Sequence, residues 1–537
     1  MEIRWGDLAV IVVYFLGITM AGLWFARRNK STEDYFLGGR NFPGWAIGLS
    51  MVGTSISSVS FLGYPADAYK TTFLRLLPAM TLPLGVLIAS IVFLPFFRRG
   101  KITSAYEYLE GRFGPGARVY GALIFITQQL VRIGMILWLL SVLIYTLTGL
   151  SVEMSIIIAG VFVSFYTIVG GFEAVIWTDV VQTIVLFAGG VFALVFICMN
   201  LDGGIMEIFK VGMEHNKFSL AEGLVNPDTG VMTVKENKWN LTLYEKTAMM
   251  LLIYGLFNWL MEYSSNQNII QRYCASKSAK EARKAMWVCV AASIPIWTFF
   301  MFLGTALFVY YQANPDPEAY AMLVGQNAAG ESVKAEGILP FFSLKVLPMG
   351  IAGLVMAAAM AAAMSSLDSS LNAISTVFVV DIYRRHLVKE KDDTHYLKVA
   401  KIVAIICAFI MLGVAMIWAK YDGETLQDTN TIIASITMGG LFGLFFLGFI
   451  TKWGDDRAVF GGVIATVSFS LLMVCKQMGY LGLSDDSFPA IDQYYTGIVG
   501  NVIMFLVGFF LGGLFPKKKD RDLTNLTVWT QDKVPLD

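Results

Sequence analysis

Stretches of roughly 20 mostly apolar residues recur from Leu8 to Phe515 with only short polar interruptions, and that is the length of helix needed to cross a lipid bilayer. A soluble chain of 537 residues would be expected to split into several domains, but no soluble domain fits between these runs. A composition that is 56% hydrophobic and 15% charged agrees with the bilayer as solvent. The formal net charge is zero, which gives no footing for a nucleic-acid partner, and no obligatory protein partner is indicated. The five cysteines are scattered, mostly within apolar runs, with no CxxC spacing, so neither a disulfide framework nor a zinc site is expected. The first apolar run lacks a basic n-region before it and a small-residue cleavage site, and it ends in Arg27, Arg28 and Lys30. It reads as an uncleaved first helix.

Apolar length predicts about thirteen transmembrane helices, near 7–26, 44–66, 73–97, 119–148, 152–169, 174–199, 246–264, 285–311, 349–381, 398–419, 430–451, 459–475 and 494–515. With the first basic cluster in the cytoplasm, every second loop falls there. Those loops carry Arg98, Arg99 and Lys101, then Arg112 and Arg118, Arg272 through Lys284, Arg384, Arg385 and Lys389, Lys452 and Arg457, and Lys517 to Lys519. The loops on the other side carry few. The positive-inside rule then sets the N-terminus outside and the C-terminus in the cytoplasm. Two longer polar outer loops, about 200–245 and 312–348, are candidates to cover an entrance, and Gly337-Ile-Leu-Pro-Phe-Phe in the second has the look of a short interfacial helix.

A charged side chain at mid-bilayer costs about 2.5–3.5 kcal/mol on insertion scales, so such residues usually face a cavity or a partner. Four stand out: Arg132 in the fourth span, Asp179 near the start of the sixth, Glu262 late in the seventh and Asp368 in the ninth. In the run from Ser365 to Asn372, Ser365, Asp368, Ser369 and Asn372 share a helix face. A hard monovalent cation stripped of water wants such a cage of oxygens, and sodium suits it better than a transition metal. Close packing of small residues explains the serines equally well, though not Asp368. Gly53-Thr-Ser-Ile-Ser-Ser-Val-Ser60 lies in the middle of the second span between Gly48 and Gly63, which predicts a broken helix whose freed backbone groups bind ions or solute. The alternative is a continuous helix with self-satisfied serines. Arg132 follows Gln128 and Gln129, and its planar fork suits either a solute carboxylate or a buried acid of the protein. Asp179 and Glu262 each have the alternative of sitting at a helix end.

Several motifs resemble signatures of the sodium/solute symporter family, over nearly the whole chain. They are Lys30-Ser-Thr-Glu-Asp-Tyr-Phe-Leu-Gly-Gly-Arg40 with Pro43-Gly-Trp45, Gly170-Gly-Phe-Glu-Ala-Val-Ile-Trp-Thr-Asp179 with Gln182, Asn268-Ile-Ile-Gln-Arg-Tyr273, and Ser365-Ser-Leu-Asp-Ser-Ser-Leu-Asn372. Within the family, Ile102-Thr-Ser-Ala-Tyr-Glu-Tyr-Leu-Glu110, Ala306-Leu-Phe-Val-Tyr-Tyr-Gln312 and Gly337-Ile-Leu-Pro340 are similar to the bacterial sialic acid transporters.

The resemblance implies an all-α integral membrane protein with a LeuT-like 5+5 inverted repeat. Residues 1–43 would form a leading helix and cytoplasmic loop, 44–199 the first repeat, 200–245 an outer loop, 246–451 the second repeat, and 452–537 two trailing helices with a cytoplasmic tail. It implies a multi-pass protein of the plasma membrane, here a bacterial inner membrane, that imports a small solute with sodium and is not an enzyme. Carried over by position, the general sodium site uses backbone oxygens of Gly53, Ile56 and Ala362 with the hydroxyls of Ser365 and Ser366. A second sodium site uses Asp179, Ser365, Asp368 and Ser369, so two sodium ions are expected; Asp368 stands where the sialic acid transporters have serine, and it takes either sodium or a proton. The solute's carboxylate meets Ser55, Ser57 and Ser60 with Arg132 nearby, while Arg75 and Ala79 replace the Phe and Gln that contact solute in the sialic acid transporters. Glu262 joins Arg75 as a further candidate for solute contact.

The expected function is sodium-coupled import of a sialic acid or related carboxylate-bearing sugar by alternating access; the alternative is a neutral sugar or polyol. A channel would not need converging solute contacts. An intramembrane enzyme would need a nucleophile with a base, yet His215, His386 and His395 all fall in loops.

Overall fold

The computed structural model describes residues 4–26, 31–100, 102–235, 239–241, 247–327, 329–420, 440–477, 493–515 and 522–532. The basic residues Arg27, Arg28, Lys30, Lys101 and Lys517 to Lys519, and the first part of the expected eleventh span, lie outside these residues. Among the described residues, nine helices are long and apolar enough to cross a membrane, or ten when a bent pair is taken as one span. In chain order the helices that frame the site are α1 (Trp5–Ala26), the bent pair α2 (Gly44–Ser55) and α3 (Ser58–Lys70), α4 (Phe73–Arg99), α5 (Pro115–Thr148) and α6 (Val152–Met199). They continue as α7 (Ala248–Ser265), α8 (Gln267–Cys274), α9 (Ala279–Ala313), α10 (Ile351–Val377) and α11 (Asp393–Trp418). The last three are α12 (Leu441–Ile450), α13 (Asp456–Gln477) and α14 (Gln493–Leu514).

The expected fifth and sixth spans form one 48-residue helix, α6, interrupted at Gly171. Its φ of 65° and ψ of −168° lie where only glycine rests without strain, so the run of helix can turn there. The shorter α7 and α12 stand at the expected seventh and eleventh spans. The predicted break in the second span is present. Ile56 leaves the helix with φ −98° and ψ 91°, Ser57 is extended, and the two halves bend by 57°. The predicted short helix of the second outer loop appears as Ile338–Lys345, with Ile338, Leu339 and Phe342 buried.

The centre of the bundle is α10, packed against α6, α5, α1 and α2. Its sequence explains its position. Ala and Met dominate Ile351–Met364, so neighbouring backbones approach closely, and every residue from Val355 to Val377 is buried. The outermost pair, α13 and α14, pack chiefly on each other, and α14 also touches α12 and α7.

Three arginines counted above as loop charges are instead buried, and this corrects the loop assignment. Arg112 is 0% exposed and donates to the carbonyls of Gly448 in the last turn of α12 and of Thr451, Trp453 and Gly454 just beyond it, so it caps the end of that helix. Arg118 pairs with Asp381 and Glu110, both at 2.6 Å. Arg272 is 1% exposed on α8, a helix where the sequence reading expects a loop. The seventh span therefore does not end at 264; it breaks at Asn266, in extended conformation, and continues as α8.

Candidate functional site

The two breaks, Ile56–Ser57 and Asn266, both lie beside a cavity of about 220 Å3. A broken helix leaves carbonyl and N–H groups without intrahelical partners, and these are tolerated at membrane depth only where they line a cavity or bind something. All six side chains expected to meet solute line this cavity: Ser55, Ser57, Ser60, Arg75, Arg132 and Glu262. Their chemistry is not equivalent. Arg75 is engaged, pairing with Asp67 at 2.8 Å and donating to the Tyr494 hydroxyl at 2.5 Å, so it ties α3 to the trailing helix α14. Glu262 accepts from Asn266 Nδ2 at 2.7 Å. Among the described residues, Arg132 makes no hydrogen bond and no ion pair within 4.0 Å, so the expected alternative of a buried pair is not observed. An unpaired guanidinium inside a membrane span is a ready receptor for an anion.

Two of the residues expected to form the general sodium site, Gly53 and Ser365, touch each other. Ser365 Oγ donates to the Gly53 carbonyl at 2.5 Å, and Ser366 Oγ to the carbonyl of Thr54, a residue outside the expected set, at 3.4 Å, so α10 meets the end of α2 just before the break of the second span. Gly53 is required here. A Cβ at that position would lie 2.9 Å from Thr183 Oγ1 and 3.3 Å from the Asp179 carbonyl. Ile56 follows two residues behind Thr54, and Ala362 precedes Ser365 by less than one helical turn.

Around the second expected site the structure adds a residue that sequence reasoning missed. Arg272 Nη2 lies 2.8 Å from Asp179 Oδ2 and 2.5 Å from Ser369 Oγ, its Nε donates to Ser50 Oγ at 2.8 Å, and its Nη1 donates to the Asn268 carbonyl at 2.8 Å. Asp179 is thus already paired, through one oxygen; Oδ1 is buried without a partner. Among the described residues, Asp368 has no hydrogen bond or ion pair with a cationic side chain. It accepts from the Ser369 N–H at 2.6 Å and from the Tyr166 hydroxyl at 3.1 Å. Beside it, the Tyr14 hydroxyl and the Gln182 amide are buried without a hydrogen bond of normal geometry. Unsatisfied buried oxygens next to a carboxylate are costly unless something polar joins them, and a bare cation would.

Also missed were Gln129, which accepts from Asn268 Nδ2 at 3.1 Å and Ser370 Oγ at 2.9 Å, and the aromatic wall Tyr64, Trp259 and Trp297. The Gln128-Gln129 pair was visible in sequence as polar residues within an apolar run. The aromatics carried no such mark, since a tryptophan in a span is ordinary lipid or core packing.

Residues 35–465 match the family model described as the sodium:solute symporter family. The chain belongs to the sodium:solute symporter family. It is 34% identical over 523 residues to the sodium/sialic acid symporter of Proteus mirabilis (strain HI4320), covering 96% of this chain and 97% of the relative. It is 30% identical over 535 residues to the sodium/sialic acid symporter of Aliivibrio fischeri (strain ATCC 700601 / ES114), covering 98% and 97%. The solved structure of a Na+-coupled sialic acid symporter in a substrate-bound outward-open state, described as revealing a novel Na+ site, superposes with a TM-score of 0.81 at 31% identity, over 95% of this chain and 98% of that one. The symporter's fold is accordingly all-α and LeuT-like, as the motifs imply, and it is a multi-pass membrane protein.

Proposed function

We propose that this symporter couples sodium to the import of a sialic acid or related carboxylate-bearing sugar by alternating access, with two sodium ions per solute. The observation that carries the solute class is Arg132: a cation in a membrane-embedded cavity with no protein anion bound to it among the described residues. A neutral sugar would leave that charge unanswered, which speaks against the polyol alternative. Similarity to two sodium/sialic acid symporters along nearly the full length supports the same reading.

Sodium at Gly53, Ile56, Ala362, Ser365 and Ser366 would order the break of the second span against α10. The solute would then bind to the ordered state through Ser55, Ser57, Ser60 and Arg132, and rocking of one repeat against the other would release both inside. The second sodium would use Asp179 Oδ1, Ser365, Asp368 and Ser369. The repeats would be 44–199 and 246–451, with residues 1–43 leading, 200–245 outside and 452–537 trailing. The N-terminus would lie outside and the C-terminus in the cytoplasm of a bacterial inner membrane. No chemical conversion of the solute belongs to this cycle.

The test is sodium-driven uptake into proteoliposomes. Arg132→Gln should weaken carboxylate-bearing solutes roughly 10–100-fold, the usual worth of a hydrogen bond to a charged group, with little effect on neutral sugars. Equal losses for both classes would sink the assignment.

A further inference from the structure

Arg132 and Glu262 line the same cavity, yet no nitrogen of one comes within 4.0 Å of an oxygen of the other. Opposite charges in a cavity of low dielectric attract strongly, so leaving both heads open needs a structural reason. Glu262 sits in the last turn of α7, immediately before the break, and Asn266 at the break holds one of its oxygens at 2.7 Å. Among the described residues its other oxygen has no donor, and Arg132 has no acceptor. The cavity therefore offers a free cation and a half-free anion that do not cancel each other.

The same cavity also carries an apolar surface. Trp259 and Trp297 have ring centroids 5.5 Å apart, Tyr64 stacks on Trp297 at 6.5 Å and 13°, and Trp259 Nε1 is fixed by the Pro78 carbonyl at 2.9 Å. Fixed aromatic faces of this kind take the C–H face of a sugar ring, and charged groups at either end set its direction.

Resting on the carboxylate reading above, we infer that Glu262 is a specificity-determining residue that accepts hydrogen bonds from a hydroxyl or amine arm of the solute while Arg132 holds the carboxylate. The preferred solute is then bipolar, a carboxylate-bearing sugar with a donor-rich arm, and simple monocarboxylates bind weakly because they leave Glu262 unanswered. A carboxylate accepts and cannot donate, so the arm must carry O–H or N–H groups.

The experiment is competition against sodium-driven uptake of labelled N-acetylneuraminate by the full chain in proteoliposomes, comparing wild type with Glu262→Gln. The glutamine keeps the size of the side chain and an acceptor for Asn266. Competitors are N-acetylneuraminate, the methyl glycoside of neuraminate with a free amine, propionate and galactose. The inhibition constant of N-acetylneuraminate should rise about 10-fold and that of the free amine by more, whereas propionate and the sodium half-saturation should stay within about two-fold. A uniform loss across all competitors and sodium would mean a structural role, and no loss would mean no contact; either overturns the inference. Should the wild type ignore every carboxylate, the Arg132 reading fails by itself. Direct binding of labelled galactose to the two proteins then decides the Glu262 contact, which requires weaker binding in the variant.

Discussion

Replacement of Asp368 by Asn bears most directly on how this symporter is energised. Asp368 is 0% exposed on α10, among the described residues it has no ion pair with a cationic side chain, and it lies next to Ser365 and Ser369 with the unpartnered Asp179 Oδ1 in the same cluster. If its charge helps to hold a second sodium, removing that charge should weaken the second site by about 1.5–3 kcal/mol, roughly 10–100-fold, as for other charge-assisted contacts. At physiological sodium the stoichiometry would fall from two ions per solute to one. The consequence is larger than the affinity change. With a monoanionic solute, two sodium ions move one net charge, and 100 mV across the membrane is then worth about 2.3 kcal/mol, close to 50-fold in accumulation. One sodium with the same solute is electroneutral and gains nothing from the potential. The assay is uptake into potassium-loaded proteoliposomes at fixed sodium gradient, with and without valinomycin. Wild type should respond to the imposed potential with a sodium Hill coefficient near two, and Asp368→Asn should lose the response with a coefficient near one. A variant that keeps both the potential dependence and the sodium affinity would refute the role. If Asp368 carries a proton instead, the variant will lose pH dependence while its Hill coefficient holds.

Asp179→Asn is a poorer probe of sodium, because it strands Arg272 in a site where that guanidinium is 1% exposed. Removing one partner of a buried pair typically costs about 3–5 kcal/mol, so the variant should melt well below wild type in detergent without sodium, and an unchanged melting temperature would show that Ser50, Ser369 and the Asn268 carbonyl suffice for Arg272. Outside the membrane, burial pushes Lys217 down to about 7, although its Nζ donates to the Tyr69 and Thr71 carbonyls at 2.7 and 3.2 Å and lies 4.0 Å from the Phe308 ring centroid, contacts that favour the cation. The unfolded chain holds the proton up to the ordinary lysine range, so between about pH 7 and 10 it binds more protons than the folded state. Stability should therefore rise with pH across that window, by at most roughly 4–5 kcal/mol, and stay flat below it. Melting temperatures of wild type and Lys217→Met from pH 6.5 to 9.5 check this, and an equal slope in both proteins would refute it.

The legible parts of this fold are those written locally. Apolar length marks the long helices. The serine-dense run flanked by Gly48 and Gly63 announces the break at Ile56, because a helix interior has no reason to gather so many groups that compete for backbone hydrogen bonds. The break at Asn266 carries the same kind of signal, Ser264-Ser265-Asn266-Gln267, but Arg272 follows it within two turns, and a basic residue after a polar run reads as the exit to the cytoplasm. What makes α8 a buried helix is Asp179, 93 residues earlier in the chain, and no local pattern encodes that pairing. Arg112 is hidden for the same reason, since its acceptors lie more than 330 residues away at the end of α12. Loop-charge counting takes each arginine at face value, and only the tertiary fold tells a solvated cation from one that caps a helix or answers a buried acid. The charged residues that line the cavity were accessible to inference because intramembrane charge is costly wherever it occurs. The Tyr64, Trp259 and Trp297 wall was not, because burial gives aromatic residues a sufficient reason to be there.

The arrangement of residues 53 to 60 also gives coupling a local physical basis. The carbonyls of Gly53 and Thr54 already receive hydroxyls from α10, while the side chains of Thr54, Ser55, Ser57 and Ser60 line the cavity proposed for the solute. Backbone and side chains of the short segment around this break thus face opposite clients. An ion that fixes those carbonyls fixes the φ and ψ angles that aim the hydroxyls, and the conformational entropy of the break is lost once for both ligands. The second ligand then binds a segment that is already ordered, which is positive cooperativity without a long pathway between sites. Reciprocity follows from the same linkage: solute must tighten sodium by the factor that sodium tightens solute. A continuous helix through Ile56 could not behave in this way, because its carbonyls would be occupied by their own helix whether or not an ion was bound.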